Sequence, residues 1–236
     1  MSEYFVAIFI HSKTNKKFFF IHIPRTGGRF IEQNFLKNHY NIQHHLTNEV
    51  LKNKNKRRDY LWIPSQKKNI RTSKGAQICK TKNIELSHVD YSIYNQWENI
   101  KNIPHIAIVR NPIDKFFSGS SQLLKDHSQS HLENKNNFNK ELTYWTNNWF
   151  RPQHEFISSC TYVWKYEDGF NKSFCDWVTD ILGNTFFIYT KDYDKECYDN
   201  PKTDPRLKKT KLLLNNIKSF YKKDFETFDY EMASQL

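Results

Sequence analysis

Two short stretches of this 236-residue chain combine arginine, hydroxyl side chains and glycine directly behind apolar runs. The first, IPRTGGR at 23–29, follows Phe18, Phe19, Phe20 and Ile21; the second, RNPIDKFFSGSS at 110–121, follows Ile106, Ala107, Ile108 and Val109. A helix that starts behind a glycine turn leaves its first backbone N–H groups unpaired, and the helix macrodipole favours negative charge there. Thr26, Gly27 and Gly28 can therefore donate N–H groups to an anion, with Arg25 and Arg29 supplying cations; glycine also lets the backbone approach closely. Arg110 and Ser118 offer a guanidinium and a hydroxyl from the second stretch. Ligands of open parallel sheets collect outside the carboxyl ends of the strands, so two such turns could hold two anionic groups at once. The first turn is not a nucleoside-triphosphatase loop, which needs G-x-x-x-x-G-K-[ST] with the last hydroxyl on Mg²⁺. Here the glycines are adjacent and Phe30 follows Arg29. A compact anion carrying its own leaving group fits better, and no metal is expected.

The elements that must position these residues are legible around them. YFVAIFI (4–10) and KFFFIHI (17–23) read as strands joined by a polar connector of hairpin length, and a helix follows from about 28 to 38 with Phe30, Ile31, Asn34 and Phe35 near one face. PHIAIVR (104–110) reads as a second apolar strand, followed by a helix with Pro112 in its first turn. Short extended segments are expected at AQICK and IELSHVDY, a short helix over 91–97, and a long polar loop at HSQSHLENKNNFNKE before LTYWTNNWF. Beyond these, TYVWKYED predicts a strand, FNKSFCDWVTDIL a helix, NTFFIYT a short strand and DPRLKKTKLLLNNIKSFYKKDFETF one or two helices. Strands alternating with helices predict a three-layer α/β/α domain with a mainly parallel central sheet. The length suits one folding unit spanning residues 1–236.

The formal net charge is +11. Such a surplus favours a polyanionic ligand or surface but can equally serve solubility. The basic runs from Lys52 to Arg58 and from Lys67 to Lys74 could guide an acidic acceptor, though a charge run is more often a solvated loop. Apolar runs are far below bilayer length, and the N-terminal MSEYFVAIFIHSK lacks a basic n-region and a small-residue cleavage site. A soluble, cytoplasmic chain without a transmembrane segment is expected. Cysteines 79, 160, 175 and 197 have no CxxC or metal-type spacing and read as reduced thiols. A basic nucleic-acid-binding protein is a competing class, but no recognition module is visible and the basic residues do not interleave with aromatics.

FIHIPRTGG (20–28) resembles the 5′-phosphosulfate loop of the carbohydrate sulfotransferases of the heparan sulfate 2-O-sulfotransferase-like type, an apolar strand followed by Pro-Lys-Thr-Gly-Gly. VRNPIDKFFSGSS resembles the 3′-phosphate motif of that family, in which a serine stands eight residues after the arginine, here Arg110 and Ser118. The resemblance covers 17–36 and 84–124, with weaker echoes in WFRPQHEFI, VWKYED and YKKDFETFDY. It implies a P-loop-like sulfotransferase fold, 3′-phosphoadenosine 5′-phosphosulfate as co-substrate without a metal, and a hydroxyl-bearing acceptor, a saccharide or glycolipid. Arg25 stands where the family carries lysine and would bond the oxygen bridging phosphorus and sulfur. Thr26, Gly27 and Gly28 would cradle the phosphosulfate, and Arg110 with Ser118 would hold the 3′-phosphate. LSHVDYS resembles the segment carrying the family's catalytic histidine, which makes His88 the expected base and Glu85 its reserve. Leu86 replaces the second histidine some members have two residues earlier. Arg29 stands where the family has a small hydroxyl residue, so it either adds a donor contact or points outward toward Glu32. Arg151, Gln153 and His154 mark either a donor-side or acceptor-side segment or only a helix start after Arg-Pro. The departures at Arg25 and Arg29 also leave room for a donor-binding fold without turnover.

Overall fold

The computed structural model of the chain describes residues 7–44, 60–62, 77–79, 84–85, 90–95, 100–123, 127–144, 148–189 and 207–232. In chain order, strands β1 (Ala7–His11) and β2 (Lys17–Ile21) precede helix α1 (Gly28–Lys37) and strand β3 (Tyr40–His44). Three short strands, β4 (Tyr60–Trp62), β5 (Gln77–Cys79) and β6 (Ile84–Glu85), form a separate antiparallel sheet, and α2 (Tyr91–Tyr94) follows. Strand β7 (His105–Val109) leads into helices α3 (Pro112–Leu123), α4 (Gln129–Glu133) and α5 (Lys135–Tyr144). Strand β8 (Thr161–Lys165) and helices α6 (Lys172–Leu182), α7 (Lys211–Phe220) and α8 (Lys222–Thr227) complete the order.

The main sheet has five strands in the order β3-β1-β2-β7-β8. It is mixed: β2, β7 and β8 run parallel, whereas β1 pairs antiparallel with both β2 and β3. A mainly parallel sheet was the expectation. The short connector between β1 and β2 makes a hairpin, which obliges antiparallel pairing, and β3, which sequence patterning did not reveal, returns beside β1.

Continuous apolar runs in β2 and β7 have a direct cause, because both faces of the sheet are buried. Phe18 and Phe20 join Ile106 and Ile108 under Ile31 and Phe35 of α1 and Phe174, Val178 and Leu182 of α6. On the other face Phe19, Ile21, Ala107 and Val109 meet Tyr94, Phe156 and Phe228. Each fully buried side chain of this size contributes roughly 1.5–3 kcal/mol, so the two central strands are the firmest backbone on which a turn can be mounted. A third cluster joins Phe116 of α3 to Leu132, Phe138 and Leu142 of α4 and α5 and to Leu213, Ile217 and Tyr221 of the C-terminal region.

Two segments depart from expectation. The polar stretch 127–141, expected as a loop, contains α4 and the start of α5. Ser128 caps α4 by accepting from the His131 N–H, and Asn134 accepts from the N–H groups of Asn136 and Asn137 at the start of α5. Such caps satisfy the orphan donors that a weakly periodic sequence would otherwise expose. Conversely, 184–189, expected as a strand, forms none among the described residues. Its Phe187 and Tyr189 N–H groups donate to the side-chain oxygens of Asn38 and Asn34, at 2.9 and 2.7 Å, so asparagines of the α1 region take the place of a neighbouring strand.

Candidate anion-binding site

Parallel pairing of β2 with β7 sets the two motif turns side by side at one edge of the sheet. Arg25 has φ 69 and Gly27 φ 87, both left-handed, which turns the chain sharply before α1 starts at Gly28. Gly27 is the helix cap and offers no side-chain bond. Phe30 and Ile31 donate to the Gly27 carbonyl, but among the described residues no group accepts from the N–H of Gly27, Gly28 or Arg29. Three backbone donors thus stand at the positive end of α1.

Gly28 is required by its neighbour His22. A Cβ at position 28 would lie 2.7 Å from His22 Nε2 and under 3 Å from two further ring atoms, and the ring is held by Glu32 at 2.7 Å. Gly28→Ala is therefore expected to lower the unfolding free energy by about 1–3 kcal/mol, read from the urea midpoint; an unchanged midpoint would show the ring to be free to move.

The second turn spends its backbone donors internally. Arg110 N–H donates to Gln153 Oε1 at 2.8 Å, Asn111 N–H to Glu167 Oε1 at 2.7 Å, and Ile113 N–H to Asn111 Oδ1 at 3.0 Å. What this turn can present to an anion is side chains. The Arg110 guanidinium lies over the Tyr166 ring, 4.5 Å from its centroid, and its Nη1 donates to the Arg25 carbonyl at 3.3 Å. Its Nε is buried and bonds no described residue. Arg25 donates from Nε and Nη2 to Ser118 Oγ, at 3.1 and 2.9 Å, and faces the Trp149 ring.

Arg25, Arg110 and Ser118, distant in sequence, therefore form one contiguous cluster, closer together than two separate turns suggested. Neither arginine makes an ion pair among the described residues. Burial first, then the charges of Arg110 and Arg29, bring Arg25 down to about 10, which leaves it cationic at neutral pH. Two converging guanidiniums that ion-pair with no described carboxylate repel each other, and an anion between them relieves that cost. Thr26 is buried and donates its hydroxyl proton to Ile23 O at 2.8 Å, so its hydroxyl does not face the site as a donor. Arg29 is exposed, and Glu32, the outward partner considered for it, is buried against His22.

Several residues outside the two motif turns hold this cluster in place: Arg151, Gln153 and His154 of the FRPQHEF stretch, and Asp224 and Glu167, to which no sequence motif gives a role. Gln153 clamps Arg110 from both sides, its Nε2 donating to Arg110 O at 2.7 Å. Asp224 accepts from the N–H groups of Gln153 and His154 and from His154 Nδ1, at 2.7, 2.9 and 2.6 Å. Glu167 accepts from Tyr230 Oη at 2.8 Å as well as from Asn111. Arg151 pairs with Glu155 at 2.6 Å and with the buried Asp90 at 2.7 Å. His88, two residues before Asp90, lies outside the described residues, as do both basic runs. The side chain of Glu85, in β6, is likewise outside them.

Lys115 of α3 is 1% exposed and donates from Nζ to the Trp149 and Arg151 carbonyls, each at 3.0 Å. Burial lowers it to about 8, partly offset by Asp224 and reinforced by Arg25. Below that pH both folded and unfolded chains hold the proton and the full cost of burying charge is present. Between about 8 and the ordinary 10.5 only the folded state releases it, so stability from this group rises with pH. The unfolding free energy of the wild type minus that of Lys115→Met is expected to grow by on the order of 2 kcal/mol from pH 7 to pH 10. A constant difference would contradict the lowered value.

No protein-family model, curated protein or solved structure matches the chain. Among the described residues, no helix is long and apolar enough to cross a membrane.

Proposed function

We propose that the chain is a sulfotransferase that moves a sulfuryl group from 3′-phosphoadenosine 5′-phosphosulfate to a hydroxyl of an acceptor, a carbohydrate, on a three-layer P-loop-like α/β fold. One observation carries this reading: the desolvated Arg25 and Arg110, whose Nε is buried, have no acidic partner among the described residues and converge beside three backbone N–H groups that bond no described residue, at the ends of paired parallel strands. The two turns offer different chemistry. Backbone N–H groups of Gly27, Gly28 and Arg29 suit the oxygens of a phosphosulfate, whereas Arg110 Nε and Ser118 suit a second, more distant phosphate. A nucleotide with anions at its 5′ and 3′ positions meets both requirements, and a simple phosphate or sulfate meets only one.

In the proposed reaction the acceptor oxygen attacks sulfur in line, the bond from sulfur to the bridging oxygen breaks, and His88 takes the hydroxyl proton. Negative charge grows on the departing 5′-phosphate. Arg25 and the N–H groups are fixed donors for that charge, the arrangement in which electrostatic stabilisation is strongest. Arginine is a planar fork where lysine is a movable point charge, and here that fork is anchored on Ser118. Ser118 Oγ accepts from Arg25, so toward a 3′-phosphate it acts by donating its own proton.

Incubation with donor labelled in the sulfuryl group and a panel of oligosaccharide and glycolipid acceptors tests the reading. Transfer of label to an acceptor is the expected result. Binding of adenosine 3′,5′-bisphosphate with no transfer to any acceptor would leave a donor-binding fold without turnover. Salt-sensitive oligonucleotide binding with no response to the bisphosphate would instead favour the nucleic-acid reading.

A further inference from the structure

We propose that His127, His131 and Glu141 form a site for a first-row divalent transition ion of the zinc class, with one coordination position open to solvent. The site is separate from the arginine cluster and does not depend on the sulfotransferase reading. His127 precedes the Ser128 cap of α4, His131 lies within α4, and Glu141 comes from α5. The two helices are held by Leu132, Phe138 and Leu142 in the third core cluster, while Glu133 accepts from Thr210 at 2.6 Å and Gln129 from Lys208 N–H at 2.8 Å. The three side chains therefore stand on packed backbone.

Their geometry differs from that of the other histidine–carboxylate pairs among the described residues. His22 meets Glu32 at 2.7 Å and His154 meets Asp224 at 2.6 Å, the lengths of charge-assisted hydrogen bonds. The Nε2 atoms of His127 and His131 instead approach the two oxygens of the single Glu141 carboxylate at 3.2 and 3.3 Å. That separation is long for such a bond and equals the edge, about 3.3 Å, of a tetrahedron with metal–ligand bonds of about 2.0–2.1 Å. The candidate ligand atoms all lie within 4.8 Å of one another.

The surroundings fit as well. Asn137 Nδ2 stands 3.4 Å from His131 Nδ1. The amide's oxygen and nitrogen are interchangeable by assignment, and with the oxygen facing the ring it accepts Nδ1–H and leaves the Nε2 lone pair for an ion, the outer-shell arrangement that orients metal-bound histidines. His127 and Glu141 are 18% and 17% exposed and His131 36%, so water reaches one side of the group. Two neutral imidazoles and one carboxylate are a donor set suited to zinc and its neighbours, not to calcium or magnesium.

Full-length protein freed of metal by chelator is titrated with Zn²⁺ by calorimetry and with Co²⁺ by visible absorption, alongside Glu141→Gln, His131→Ala and the remote control His11→Ala. Expected are one saturable equivalent, a Co²⁺ band of four- or five-coordinate intensity, and a Zn²⁺-dependent rise in the melting midpoint. Glu141→Gln and His131→Ala should each lose at least roughly tenfold in affinity, with His11→Ala unchanged. Glu141→Gln keeps the side chain's size, so it decides the matter if His131→Ala folds poorly. Absence of a saturable equivalent, or equal affinity in wild type and Glu141→Gln, would overturn the site.

Discussion

Replacing Arg110 by alanine should weaken binding of adenosine 3′,5′-bisphosphate by about 2–5 kcal/mol, roughly 30-fold to several thousand-fold, while leaving the unfolding midpoint unchanged or raised. The asymmetry follows from what Arg110 touches. Its backbone bonds to Gln153 survive the substitution, and its side chain's contacts with the described residues are weak: one 3.3 Å bond to the Arg25 carbonyl and a stack on Tyr166. Against these stand a buried Nε that bonds no described residue and the repulsion it shares with Arg25. Removing the group relieves the fold of an uncompensated donor and strips the ligand of a fork-shaped cation. Arg110→Lys keeps the charge and loses the fork, so it should fall between. Calorimetric titration and thermal melting of the same samples separate the two effects; equal loss of stability and affinity would make Arg110 a structural residue.

His88→Ala is the second large effect. Turnover should fall by about 10²–10⁴, the usual contribution of a general base, with bisphosphate affinity altered by less than about threefold, because proton removal from the acceptor takes no part in holding the nucleotide. The motif order places His88 between the two phosphate stretches. Asp90, two residues on, is buried and paired with Arg151, close in sequence to the Gln153 that clamps Arg110. Single-turnover assays with saturating donor read the chemical step. An unchanged rate would remove His88 as base and turn attention to Glu85.

What could be read from sequence divides along physical lines. Strands β2 and β7 and the turns behind them were legible because fully buried strands need four apolar residues in a row and a sharp turn needs glycine; both signals are local. Arg25, Arg110 and Ser118 could be named for the same reason, although their convergence comes from the parallel pairing of β2 with β7. Helices α4 and α5 escaped because their stability lies in caps and in three anchoring side chains, with asparagine and lysine between them. The segment at 184–189 carried a strand's residues yet found its partners in Asn34 and Asn38, a tertiary choice no local pattern records. Gln153, Asp224, Glu167 and Lys115 support the cluster through bonds spanning 34 to 71 residues. In the sequence, FRPQHEF marks Gln153 equally well as part of a ligand segment or of a helix start after Arg-Pro.

A crystal structure with adenosine 3′,5′-bisphosphate tests the central assignment most directly. The expected map has the 5′-phosphate on the N–H groups of Gly27, Gly28 and Arg29 and the 3′-phosphate on Arg110 and Ser118. A nucleotide bound elsewhere, with Arg25 and Arg110 touching neither phosphate, would contradict it.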